Sequence, residues 1–173
     1  MRKLIYLAFI VTVLGAGSAW GCMCPYAAGS IEDLVRGALE TSSSVFLGEV
    51  VGYEYRAGLM PEPYPVNVTA EEAEEKEVRV VKFKIDRWWK MPLPAETLLI
   101  TGSWRDKPRA SDLLPSEHVS MCELPLIKGE KYLIYASGPA DKLRNRVCSR
   151  TAPIGRADDD LKVLGKGRKP VRK

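Results

Sequence analysis

Histidine occurs once in the 173 residues, at His118, so a zinc hydrolase built on several imidazole ligands is excluded. Ser116 and Ser120 flank it in "PSEHVSM", but the stretch has neither a nucleophile elbow nor a positioned acid, and His118 reads as a surface residue. Long apolar runs are missing too: the run from Leu4 to Leu14 falls short of the ~20 residues that a membrane-spanning helix needs. The four cysteines, Cys22, Cys24, Cys122 and Cys148, lack the paired C-x2-C knuckles of a zinc ribbon. Neither sign of charge dominates. Lys and Arg number 26 against 22 Asp and Glu, a net +4, and removing Arg2 and Lys3 leaves +2. That balance names no partner, and together with export it speaks against nucleic-acid binding. No enzymatic activity and no cofactor are expected.

What is present begins with an export signal. Arg2 and Lys3 precede the apolar run, and Ala16, Ser18, Ala19 and Gly21 follow it, the order of n-region, h-region and small-residue cleavage site in a secretory signal peptide. Residues 1–21 are read as that signal, residues 22–165 as one domain of a size able to form its own core, and residues 166–173, "KGRKPVRK", as a basic, solvated, mobile tail. The expected location is secreted or extracellular, or periplasmic or cell-envelope in a bacterium. No membrane span remains after cleavage, and a monomer is expected. Oxidising surroundings make two disulfides the simplest use of four cysteines.

Along the chain, "SIEDLVRGALE" sets Ile31, Leu34, Val35, Ala38 and Leu39 at helical spacing behind Ser30 and Asp33, an N-cap signature. Residues 43–53, "SSVFLGEVVGY", read as a strand with a bend at Gly48. Residues 54–76 hold Pro61, Pro63, Pro65 and "EEAEEK" without sustained periodicity and read as a long exposed loop or ribbon. The adjacent carboxylates Glu71, Glu72, Glu74 and Glu75 suit a solvated face better than a catalytic pair. In "EVRVVKFKIDRWW", residues 77–89, the alternation slips between Val78, Val80 and Val81, Phe83, Ile85; a bulge near Val80 and Val81 would restore one inward face. Trp88 and Trp89 end this strand, one expected in the core and the other at a rim. "TLLITG" and "EKYLIYASG" (130–138) are further strands, and "RADDDLKVLG" a closing helix with Asp158 as cap and Gly165 as stop. The pattern predicts a mainly β fold, a small Greek-key barrel of OB type with one N-terminal and one C-terminal helix.

Residues i and i+2 of an extended segment face the same way, so Cys22 and Cys24 can look down onto one sheet. A bond between them would close a very tight ring, which favours pairing with Cys122 and Cys148. Such bonds would make a fraying front end rigid.

"CMCP" behind the signal, "VFLGEVV", "IDRWWKMP", "TLLITG", "CELPLIKGEKYLIYA" and "CSRT" together resemble the TIMP/netrin-like (NTR) family, the tissue inhibitors of metalloproteinases and their bacterial relatives, over about residues 22–164. The resemblance implies an OB-fold barrel with Cys22 bonded to Cys122 and Cys24 to Cys148. It also implies that the mature N-terminus, Cys22, Met23, Cys24 and Pro25, is the protease-binding segment. The α-amine and carbonyl of Cys22 would chelate the catalytic zinc of a metalloproteinase, and Met23 would enter the apolar pocket beside it. An α-amine with pKa of ~7.7–8.0 loses its proton readily to a metal, and displacing the zinc-bound water removes the nucleophile. Animal members carry more cysteines in a second subdomain, and Met23 stands where small hydroxylated residues are typical.

Cleavage after Gly21 frees the amine of Cys22, cleavage after Ala19 leaves Trp20 and Gly21 ahead of it, and lipidation would consume the Cys22 thiol. The sequon Asn67, Val68, Thr69 matters only in a eukaryotic secretory route. The competing function is a binding or structural module of the cell envelope or extracellular matrix, in which the C-x-C start is only a staple.

Overall fold

A computed structural model describes Cys24 and residues 28–60, 68–107, 117–119 and 122–171. The signal segment, Cys22, Met23, Pro25, Asn67, Ser116 and Ser120 lie outside the described residues.

The first helix, α1, spans Ile31–Thr41. Ser30 Oγ accepts from the Asp33 backbone N–H while the Asp33 carboxylate accepts from the Ser30 backbone N–H, a complete capping box that satisfies two otherwise orphaned donors. Val35 at its centre is fully buried, worth about 1.5–3 kcal/mol.

Seven strands follow: β1 Ser44–Ala57, β2 Lys76–Lys90, β3 Glu96–Asp106, β4 Glu117–His118, β5 Lys131–Ser137, β6 Arg144–Asn145 and β7 Ala152–Pro153. Strands make up 44% of the fold and helices 21%, so the protein is mainly β. Pairing runs β1-β2-β3-β6-β5 and returns to β1, closing a five-strand ring that is not a regular barrel. All its seams are antiparallel except β3–β6, which is parallel and held by one strand pair, Ile100 with Arg144, plus the Ile100 N–H to Leu143 O bond at 2.8 Å. Closure depends on β1, which pairs with β2 along its length and with β5 over Ser44–Glu49. The register shifts at Gly48, where a Cβ would stand 3.0 Å from Lys84 O; glycine lets the two backbones approach as the strand bends.

Inside the ring, Phe46, Val81, Phe83, Leu99, Tyr132 and Ile134 pack together, with the Phe46 and Phe83 rings edge to face at 5.5 Å. Strand β5 is buried on both faces. Tyr132 and Ile134 point into the ring, whereas Leu133 and Tyr135 pack outward with Val45 against Ala38 and Leu39 of α1 and against the last helix. That two-sided burial explains the unbroken apolar run "YLIYA".

Three sequence expectations change. Residues 54–76 are not one loop: β1 continues to Ala57, and a short helix, α2, forms at Ala70–Glu75. Thr69 caps it through Glu72 in a second capping box, so the acidic run has a local reason to coil. The β2 alternation is not restored to a single inward face. The register does shift between Val78 and Val80, but Val78 and Val80 form a separate cluster with Ile100, Met60 and Ala73 of α2, while Val81, Phe83 and Ile85 fill the ring. Finally, the closing helix, α3, spans Asp158–Leu164 with Ala157 at its N-cap and no side-chain cap, so Asp158 lies within the helix. Gly165 terminates it with φ 69°, a conformation glycine adopts without Cβ strain.

Residues 166–171 also differ from the mobile tail expected of them. Trp88 and Arg168 exchange backbone hydrogen bonds at 2.9 and 2.8 Å, Val171 N–H donates to Leu93 O at 2.9 Å, and Trp88 Nε1 donates to Lys169 O at 2.8 Å. Trp88 is buried in the ring core, and Trp89, half-buried, packs with Leu161 and Leu164 and donates to Gly165 O. No helix among the described residues is long and apolar enough to cross a membrane.

Candidate functional site

Of the four residues expected to meet a protease, Cys24 is the one the structure describes. It is exposed and bonded to Cys148, with Cα atoms 5.2 Å apart and a sequence separation of 124. Cys122 is also disulfide-bonded; its expected partner, Cys22, lies outside the described residues, as do Met23 and Pro25.

Cys148 sits in a turn just after β6 with φ 63°, a left-handed conformation that costs a non-glycine residue and persists only when its surroundings hold it. The holding contacts are local. Ser149 N–H donates to Arg146 O at 3.2 Å, Ser149 Oγ and Thr151 Oγ1 lie 2.9 Å apart, and Tyr135 N–H on β5 donates to Thr151 Oγ1 at 3.0 Å. The anchor for Cys24 is therefore pinned to a central strand.

Beneath this turn lies a buried ionic cluster. Asp160 of α3 is 5% exposed. It accepts from Tyr135 Oη at 2.8 Å and from the Arg150 guanidinium through both Nε, at 2.9 Å, and Nη2. A forked guanidinium–carboxylate pair with a third donor satisfies a charge that would otherwise be costly to bury. Burial, followed by the bond to Asp160, pushes the Tyr135 phenol well above its ordinary range, so Tyr135 stays a donor at every physiological pH.

Next to Cys122, Glu123 takes the Gly102 N–H on both carboxylate oxygens, at 3.0 and 2.9 Å, and the Asn145 amide at 3.4 Å. Its carboxyl is raised above the ordinary glutamate value, because burial outweighs these bonds. Gly102 lies on β3 and Asn145 on β6, so this side chain spans the sparsely bonded parallel seam.

His118 is exposed and stacks on Trp104 at 3.9 Å between ring centroids. Glu71, Glu72, Glu74 and Glu75 are exposed on or beside α2. Among the described residues, no group of three or more His, Cys, Asp and Glu side chains could hold a metal.

Sequence reasoning missed Glu123, Arg150 and Asp160. Asp160 had a faint signal, since it stands four residues before Leu164 on the face that turns inward, but its partner Arg150 comes from a different element. The turn, Arg150 and α1 together enclose an open groove of about 850 Å³ beside the Cys24–Cys148 bond. The chain matches no family model and no curated protein sequence.

Proposed function

We propose that this protein is an exported, disulfide-clamped netrin-like domain of OB type that inhibits a zinc metalloproteinase through the α-amine and carbonyl of Cys22. The observation that carries the reading is the Cys24–Cys148 bond. It fastens the residue two positions after Cys22 to a turn that is itself tied to β5. A leading residue so close to a rigid anchor binds with little ordering cost.

The strand order supports the OB reading. Counting β6 as fifth in the ring and β5 as fourth, the order is 1-2-3-5-4-1 with one parallel seam between the third and the fifth, a five-strand count and non-consecutive pairing that suit the five-stranded Greek-key class. The "GCMCP" start supports the inhibitory reading, because a free amine and its own carbonyl form a compact chelate at the position a catalytic zinc keeps for water. Met23 then offers a flexible, polarizable chain to an apolar pocket.

The test uses the exported protein after its N-terminus has been sequenced and its intact mass measured. A free Cys22 amine should inhibit at least one member of a panel of zinc metalloproteinases, and acetylating or extending that amine should abolish the effect. Unchanged inhibition by the blocked form refutes the chelation. No inhibition of any member by the free-amine form leaves the clamp as the staple of a binding module of the envelope or matrix.

A further inference from the structure

We propose that the groove between α1, the Cys148 turn and α3 binds an acidic stretch of a partner protein. The space is about 850 Å³, within the range of roughly 300–1,000 Å³ typical of ligand pockets. Its charges are unequal in kind. Arg150 is spent on Asp160, and the Asp33 carboxylate is turned back to the Ser30 N–H and hydroxyl as a helix cap. Arg146 and Arg156 are exposed on the lining and have no ion pair among the described residues. Asp33 stays ionised, so three arginines face two carboxylates, and the one positive charge in excess, with Arg146 and Arg156 exposed, favours a negatively charged occupant. Guanidinium suits carboxylates in particular, through its forked donors.

The walls decide which anion. Leu34 and Ala38 on α1 and Val147 and Ala152 on the other side are apolar. A sulfated polysaccharide would leave them uncovered. A peptide that alternates carboxylates with aliphatic side chains covers them and meets both arginines. Gly37 keeps the α1 wall low, and a Cβ there would meet nothing within 4 Å, so a larger side chain can intrude into the groove without a backbone clash. Binding here does not depend on the Cys22 amine, which the zinc chelation requires.

The experiment is fluorescence anisotropy on the intact exported protein with a labelled octapeptide of alternating Glu and Leu, its Lys and Leu counterpart, and unlabelled heparin. Saturable binding of the acidic peptide alone is expected, weakening with salt. The double variant Arg146→Glu/Arg156→Glu should bind at least about tenfold more weakly, and so should Gly37→Leu, which leaves every charge in place. Lys84→Glu on β2 should match the unmodified protein, and so should the N-acetylated protein, even though acetylation abolishes protease inhibition. Circular dichroism confirms that each variant is folded. Failure of the acidic peptide to bind, equal binding by the groove variants, or binding of heparin in preference to the peptide would overturn the assignment.

Discussion

Replacing Cys24 and Cys148 together by serine isolates the mechanical worth of the clamp. Both cysteines are exposed, so little packed surface is lost, and the left-handed φ of residue 148 is common to both forms. The change in stability therefore reports the crosslink. In the chain-entropy picture, a bond spanning 124 residues removes about 5 kcal/mol of denatured-state entropy at 25 °C. The second bridge modifies that figure. If Cys122 is joined to Cys22, as proposed, the variant keeps that crosslink. The loop that the Cys24–Cys148 bond then closes runs through it and shrinks to roughly 28 residues, for which the same relation gives about 3.6 kcal/mol. The expected loss is thus about 3–4 kcal/mol by urea unfolding with the remaining bridge oxidised, or a Tm lower by roughly 10 °C. A loss near 5 kcal/mol would show that the other bridge does not share the loop. A loss below about 1 kcal/mol would refute the argument that the bond restrains the front of the domain.

Two further tests bear on the seam and its turns. The raised carboxyl of Glu123 means that the folded state holds this proton more tightly than the unfolded chain does. Stability should therefore fall as pH rises from the ordinary glutamate value through the folded one, and the ionised carboxylate should be a cost above that window. Glu123→Gln should lose this component, so the difference in urea midpoint between variant and parent should change steadily from pH 7 to pH 4.5; a constant difference would count against it. Gly138 has φ 97°, and a Cβ there would lie 2.6 Å from Lys142 O. Gly138→Ala should destabilise by about 2–4 kcal/mol through strain and overlap in the β5–β6 connection, and an unchanged Tm would contradict the backbone geometry.

Local features were legible where a short stretch of sequence contains its own cause. Ser30 and Asp33 cap α1 as their spacing predicts, Gly48 marks the bend in β1, and Gly165 ends α3. The same kind of signal was present and unread in Thr69 and Glu72, three residues apart in the segment taken for a loop. Other readings failed for want of a partner. The slipped alternation of β2 looked like a fault in one face because nothing in the sequence says that α2 and Met60 cover the other. The basic side chains Lys166, Arg168 and Lys169 are exposed as expected, but the backbone pairing of this segment with Trp88 and Leu93 was not legible, because it depends on the chain returning to that strand end.

By itself the sequence determined the starts of α1 and α2, the positions of the main strands and the supply of cysteines, since capping, side-chain period and composition act over a few residues. Tertiary structure decided the rest. It set Arg150 and Tyr135 onto Asp160, laid Glu123 across the seam from Gly102 to Asn145, and placed Arg146 and Arg156 beside a groove with no ion pair among the described residues. The physical reason is that burial and charge pairing are properties of neighbours in space, and closing the five-strand ring brings together residues that the chain keeps far apart.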